Sequence, residues 1–464
     1  WIVGSTVLGS GIAAIDATVV GIALPSIGRQ LHATFGALQW VVTGYTMTLA
    51  ALLLLGGALG DAFGRRRVFT IGVVWFTATS AVCALSPNVS VLIVMRVLQG
   101  VGGALLTPGS LAIIEASFVP DDRGRAIGAW SGLGGVATAA GPLLGGYLIA
   151  AASWRWIFVI NLPVGAVVVW TARRHVPESR DPASGRPLDL LGAALAVLAL
   201  ASITYALIEG PTSGATPLVV TLGVLGVLAA GSLVAVERRA ANPMLPASAF
   251  RVRQFSVTNA VTFVVYAALG GALFLLPVEL QVVDGFSPLA AGASLLPVTV
   301  LMLALSARSG QLASRLGPRL QMSVGPLGVG AGLLVLSRTA TDHAYVTGVL
   351  PGVLLLGLGL ATTVAPLTTT ALSSLPARHA GLASAVNNDV ARLGSLVAVA
   401  VLPAAAGITG TAYLHPHALG HGFTTAVAIA AVACVGAGGL AAAGIRNPPR
   451  ATGEPHTDAP YHCA

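Results

Sequence analysis

Long apolar runs recur along this chain, each able to cross the roughly 30 Å of a bilayer's hydrocarbon core as a helix. In lipid the backbone must satisfy its own polar groups, and contiguous runs of this length do so as helices. Six fall near 1–25, 38–60, 67–86, 89–115, 124–151 and 154–172. Two more follow near 188–209 and 217–236. A second six lie near 255–278, 288–310, 321–338, 344–372, 380–405 and 421–445. The expected fold is an all-α integral membrane protein of 14 transmembrane helices: two six-helix bundles plus two intervening helices. Composition excludes a soluble alternative, because only 9% of the 464 residues are charged and 55% are hydrophobic.

Arginine placement orients the spans. All 24 basic residues are Arg. Those on one set of loops and ends include Arg65, Arg66, Arg67, Arg173, Arg174, Arg186, Arg378 and Arg450, whereas only Arg29, Arg155 and Arg338 lie on the other. By the positive-inside rule the first set is cytoplasmic, together with both termini. Trp1 already lies in an apolar segment, so residues are expected before it, and no cleavable signal peptide is expected. The formal charge of +8 is spread over short loops and forms no basic patch for nucleic acid. Cys83, Cys434 and Cys463 are odd in number and badly placed for a disulfide framework.

Two Pro-bearing charged connections, Arg173 to Pro187 and Glu237 to Gln254, flank the two middle spans. They divide the chain into an N-terminal bundle (1–172), linker loops carrying two extra helices (173–254), a C-terminal bundle (255–445) and a cytoplasmic tail (446–464). An internal echo relates the bundles. Gly57-Ala-Leu-Gly-Asp61-Ala-Phe-Gly64-Arg65 follows the second span of the first, and Gly310-Gln-Leu-Ala-Ser314-Arg-Leu-Gly317-Pro-Arg319 follows the second span of the other. Parallel repeats of this kind place substrate at their interface near the midplane.

The charged residues inside spans carry the chemistry. Asp16 stands in the first run, where a carboxylate costs roughly 2.5–3.5 kcal/mol on insertion scales. It is either a partnered structural group or a proton carrier, and the second reading is adopted here. Arg96 must find an acid or a carbonyl, with Asp16 the nearest by depth, unless it snorkels to the outer interface. Asp389 and Arg392 are three apart on one helical face and can pair; otherwise Asp389 is a second proton or cation-substrate carboxylate. Glu115, Glu279 and Asp284 fall at span ends and are expected to be solvated. His415, His417 and His421 lack a Cys or acid to complete a metal site.

Several of these stretches resemble the major facilitator superfamily. Gly57 to Arg67 (GALGDAFGRRR) is similar to its loop motif, which implies that Gly57, Asp61, Gly64, Arg65 and Arg66 form a conformational gate. Ala62 stands where the family usually has a basic residue, so a partner for Asp61 is expected from elsewhere. Val94 to Gly103 resembles the fourth-helix motif, whose arginine is associated with proton transfer. Gly141, Pro142, Gly145 and Gly146 resemble the antiporters' glycine–proline motif, with Gly141 and Gly145 making a close-packing face. The stretches Asp16 to Pro25, Gln39-Trp40 with Tyr45, Trp154 to Pro163 and Gln281 to Pro297 resemble the fourteen-span drug:proton antiporter branch. Gly21 replaces that branch's usual Asn.

The resemblance implies a proton-coupled antiporter that exports hydrophobic or amphipathic drugs or antibiotics by alternating access, or else a dedicated secondary-metabolite exporter. Proton coupling falls to Asp16, Arg96 and Asp389. Trp40, Tyr45, Phe263, Tyr266 and Asn387 are candidate substrate contacts. No cofactor, metal or nucleic acid is expected, and the protein is expected to be a monomer in the bacterial cytoplasmic membrane. A membrane enzyme would need a catalytic constellation, and no HExxH, GxSxG, P-loop or CxxC is found. A passive channel would not need proton-coupled carboxylates.

Overall fold

A computed structural model describes residues 1–180, 189–239, 249–340, 343–376 and 380–447. Most of the expected tail 446–464, with Cys463 and Arg450, lies outside the described residues, as do Arg186 and Arg378. Among the described residues, 14 helices are long and apolar enough to cross a membrane. The first six are α1 (Ile2–Leu31), α2 (Phe35–Phe63), α3 (Arg65–Ala84), α4 (Val89–Ser117), α5 (Asp122–Ala151) and α6 (Trp156–His175). The middle pair is α7 (Leu190–Ser213) and α8 (Pro217–Arg239). The last six are α9 (Arg253–Val282), α10 (Pro288–Leu316), α11 (Pro318–Thr339), α12 (Tyr345–Ser373), α13 (Gly381–Ala405) and α14 (Pro416–Gly444).

Side-chain caps fix several helix starts, including that of α2, which hydropathy placed three residues late. Thr34 Oγ1 accepts from Ala37 N at 3.3 Å and opens α2. Asn88 Oδ1 accepts from Val91 N at 3.0 Å and opens α4. Ser287 Oγ accepts from Ala290 N at 3.1 Å and opens α10. Each cap satisfies an amide that the helix itself leaves without a partner. At the expected bundle boundaries, α6 runs on to His175 and α9 begins at Arg253.

The two sixes pack alike, with helix numbers offset by eight. In the first, α1 lies against α4, α5 and α6, while α4 lies against α2 and α3. In the second, α9 lies against α12, α13 and α14, while α12 lies against α10 and α11. Small residues permit the close approaches. A Cβ on Gly56 would come within 2.0 Å of Ala104 O, and one on Gly359 within 2.4 Å of Val329 N. The extra helices α7 and α8 pair with each other, and α7 rests on α2 and α13 at one side of the inter-bundle seam.

The bundles are held together at the arginine-poor end. Gln39 Nε2 donates to Val399 O at 2.6 Å and to Ala400 O at 3.2 Å. Gln281 Nε2 donates to Ile22 O at 2.9 Å. Phe35 N donates to Gly410 O at 2.7 Å, and the Tyr413 hydroxyl donates to Ala33 O at 2.8 Å. Burial holds the Tyr413 hydroxyl above the ordinary tyrosine range, so this latch keeps its proton at physiological pH. A Cβ on Gly292 would meet Pro142 O, and one on Gly146 would meet Pro288 O. Toward the arginine-rich end α5 buries only Ala126 between 122 and 140; a half-buried stripe through Ile127, Trp130 and Ala137 lies against α1, and its other faces are exposed. Over the same stretch a Cβ on Gly124, Gly128, Gly132 or Gly134 would meet nothing within 4 Å, an open gap beside the helix at this end.

Candidate functional site

Asp16, on α1, is fully buried inside the N-terminal bundle, and Arg96 of α4 is 1% exposed beside it. Arg96 Nη1 donates to Asp16 Oδ2 in a short ion pair. The same guanidinium donates to Gln99 Oε1 at 2.8 Å and, through Nε, to Val41 O at 3.0 Å. Its carbon lies 4.4 Å from the Tyr45 ring centroid and 5.8 Å from that of Phe158. Asp16 Oδ1 accepts from Gln99 Nε2 at 3.1 Å and from Asn161 Nδ2 at 3.4 Å. Asn161 also donates to Ser80 Oγ at 3.0 Å, which extends the network from α6 to α3. The snorkelling alternative for Arg96 is therefore overturned, because acid, amide, carbonyl and rings surround it at depth.

A pair this dry contributes little net stability, since the loss of hydration offsets the attraction. Removing one member is another matter, costing about 3–5 kcal/mol because the other charge is stranded. Taking up a proton on Asp16 cancels its charge and so acts as a chemical version of that removal. The group sits where α1, α4 and α6 meet, so a change of charge bears directly on how those helices pack.

The glycine–proline stretch lies against this helix. A Cβ on Gly141 would come within 2.0 Å of Thr18 Oγ1, and one on Gly145 within 2.1 Å of Val19 Cγ2. Thr18 is two residues beyond Asp16. Gly146 faces the opposite bundle, and Pro142 presents its carbonyl to Gly292. The motif thus carries α1 on one side and the inter-bundle seam on the other.

At the arginine-rich end, Asp61 pairs with Arg65, whose Nη2 lies 2.8 Å from Oδ1. With Ala62 unable to serve, the partner is the nearby Arg65, brought to Asp61 across the break at Gly64 between α2 and α3. Gly64 takes φ +113°, and Arg66 N donates to Glu178 Oε1 at 3.1 Å. The second bundle repeats the device, with Gly317 at φ +85° and Arg319 N donating to Asn447 Oδ1 at 3.0 Å. Glu178 and Asn447 each follow the last helix of their bundle. Sequence reasoning missed both, because nothing local signals a contact with a loop more than a hundred residues away.

The other candidates are dispersed. Tyr45 is fully buried in the N-terminal bundle, its ring against the Arg96 guanidinium. Trp40 lies 6.3 Å from Tyr205 of α7. Asn387 is 6% exposed and ties α13 to α9 through Asn259 Oδ1 at 3.2 Å and Thr262 Oγ1 at 2.8 Å. Phe263 and Tyr266 present backbone carbonyls to Gly394 and to Ser395 Oγ on α13. Asp389 is half-buried, and its Oδ1 has no hydrogen-bond partner among the described residues. Glu279 and Asp284 overturn the expectation of solvation. Glu279 is fully buried with no hydrogen-bond partner for either carboxyl oxygen among the described residues, and the buried Asp284 side chain meets His343 Nδ1 at 2.7 Å. The segment leading into α12 folds over the end of α9 there, a tertiary contact that span ends do not reveal. Glu115 is exposed, as are His415, His417 and His421.

The sequence profile of the Major Facilitator Superfamily matches residues 6–399. The multidrug resistance protein Stp of Mycobacterium tuberculosis is 36% identical over 417 residues, covering 89% of this chain and 77% of that protein. The tetracenomycin C resistance and export protein of Streptomyces glaucescens is 36% identical over 398 residues, covering 85% of this chain and 73% of that protein. Among solved structures, the peptide transporter POT in complex with sulfate superposes with a TM-score of 0.69 at 16% identity. That match covers 95% of this chain and 94% of that one, a likeness of fold alone.

Proposed function

The chain belongs to the Major Facilitator Superfamily and is a transporter; on that footing we propose that it is a proton-coupled antiporter exporting hydrophobic or amphipathic drugs or antibiotics. It works from the bacterial cytoplasmic membrane by alternating access, with both termini cytoplasmic. The observation that carries the reading is the sealed Asp16–Arg96 pair with its amides from Gln99 and Asn161.

The arginine-rich gap is the cytoplasmic mouth, and the paired Asp16 is the ionised, proton-released state. Substrate enters between the bundles. The bundles then rock, the seam at Gln39, Gln281 and Tyr413 parts, and substrate leaves outward. A proton arriving from outside neutralises Asp16, which detaches it from Arg96 and frees α1 from α4. The return to the cytoplasmic-open form lets Arg96 draw the carboxylate back, expelling the proton inward. Asp61 and Arg65 brace the cytoplasmic gate, and Asp389 is a second carboxylate facing a cationic substrate. One charge crossing 100 mV contributes about 2.3 kcal/mol, enough for roughly a 50-fold substrate gradient.

The test is Asp16→Asn in everted vesicles, with a candidate drug added to the medium. Wild-type protein should release protons when drug is added and stop accumulating drug once the pH gradient is dissipated. The Asn variant should insert normally but neither release protons on drug addition nor accumulate drug; near-normal drug-coupled proton release from it would overturn the mechanism. A dedicated metabolite exporter would use the same machinery with a narrow substrate range. The export of a single compound named for the S. glaucescens relative favours keeping that reading.

A further inference from the structure

The outer wall of the N-terminal bundle carries a groove of about 870 Å³ between α3 and α6, away from the Asp16 network. Its floor is closed where the helices nearly touch, since a Cβ on Gly165 would come within 2.2 Å of Thr77 Oγ1. Its walls are apolar and open, with Val74 48% and Trp170 57% exposed. Its arginine-rich end is lined by Arg173 and Arg174, both exposed. Neither makes an ion pair within 4.0 Å among the described residues, and the nearby Glu178 is already engaged by Arg66.

We propose that this groove seats one anionic phospholipid of the cytoplasmic leaflet, with its phosphate on Arg173 and Arg174 and an acyl chain along α3 and α6. Length supports the match. From Leu162 to Arg173 the groove follows α6 over eleven residue steps, or about 16 Å at 1.5 Å per residue. That is close to half of a roughly 30 Å hydrocarbon core, the depth of one leaflet. Charge supports it too. Two guanidinium groups without acidic partners at headgroup depth fit a phosphate, which they can engage through paired N–H donors. A zwitterionic lipid would bring an ammonium to the same site, where no free carboxylate is lined up to receive it. The inference does not depend on proton coupling.

The experiment is native mass spectrometry of the full-length protein in detergent, titrated with phosphatidylglycerol, phosphatidylcholine or inorganic phosphate. Wild-type protein should retain one phosphatidylglycerol that phosphatidylcholine does not replace and that millimolar inorganic phosphate does not displace. The R173A/R174A variant should lose it by about thirtyfold in apparent affinity, while R173K/R174K keeps most of it. Ala78 is exposed on the groove wall, so A78W should fill the groove and expel the lipid with both arginines intact. Equal retention by wild type and R173A/R174A would overturn the headgroup assignment, and equal retention by A78W would overturn the seat. Displacement by the candidate drug instead of by lipid would identify the groove as a substrate entry and sink the proposal.

Discussion

Gln99 grips both members of the buried ion pair at once: its Nε2 donates to Asp16 Oδ1 at 3.1 Å while its Oε1 accepts from Arg96 at 2.8 Å. Both residues stand on α4, three apart, so Arg96 and Gln99 present one face to α1. Gln99→Leu keeps the volume and removes both bonds. Each charged partner then loses a buried hydrogen bond, at about 1–3 kcal/mol for a stranded group. The expected outcome is a protein several degrees less stable in thermal unfolding, with drug-coupled proton release reduced but still measurable. An unchanged unfolding midpoint would show that the amide is incidental.

Arg96→Met should be worse, because it leaves Asp16 with amides alone in a dry site. Breaking such a pair costs about 3–5 kcal/mol, whereas replacing both members is often neutral. The double variant Asp16→Asn, Arg96→Met is therefore expected to regain stability relative to Arg96→Met while remaining inactive in transport. A thermodynamic cycle over the four proteins measures the coupling. Additive changes would mean that the two side chains do not act as a unit.

The contrast between these residues and the candidate pocket shows what the sequence made legible. Asp16 and Arg96 were visible because charge in an apolar run has so few allowed fates, and the burial constraint supplies the partner. The fourteen spans were visible for the same reason. Tyr45, Trp40 and Asn387 carried no such constraint. An aromatic or amide in a span can face a cavity, a neighbouring helix or lipid at similar cost, and here each meets another side chain of the protein. Glu178, Asn447 and the Gln39 seam were hidden because they depend on which distant segments meet.

The outer seam yields a prediction about conformational balance. A Cβ on Gly292 would stand 2.2 Å from Pro142 O, and one on Gly146 2.5 Å from Pro288 O. Backbone on both sides cannot yield as a flexible side chain does. Gly292→Ala should therefore pry α10 from α5 and shift the population toward the outward-open form. Tyr413→Phe, which removes the hydroxyl bond to Ala33 O, should shift it the same way by roughly 1 kcal/mol. Labelling of a cysteine placed at Ile22, buried beneath the seam, reports the change from the arginine-poor side. Labelling no faster than in the same cysteine protein without either substitution would argue against the seam as the outer gate.

Gly64 offers the last test, because two separable effects meet there. At φ +113° and ψ 124° its backbone lies where an L side chain is strained, at about 1–3 kcal/mol. A Cβ at that position would also stand 2.7 Å from Glu178 Oε1, the atom that accepts from Arg66 N. The carboxylate can swing aside, but only by giving up the amide. Gly64→Ala should thus cost more than Glu178→Ala, since it imposes the strain and displaces the acceptor as well. Combining them should cost less than the sum, because the acceptor is lost only once. The mirrored pair, Gly317→Ala with Asn447→Ala, should show the same shortfall, since its Cβ would come within 2.3 Å of Asn447 Oδ1. Additivity in both halves, measured by thermal unfolding of the four variants in each set, would mean that these loops are held by backbone alone.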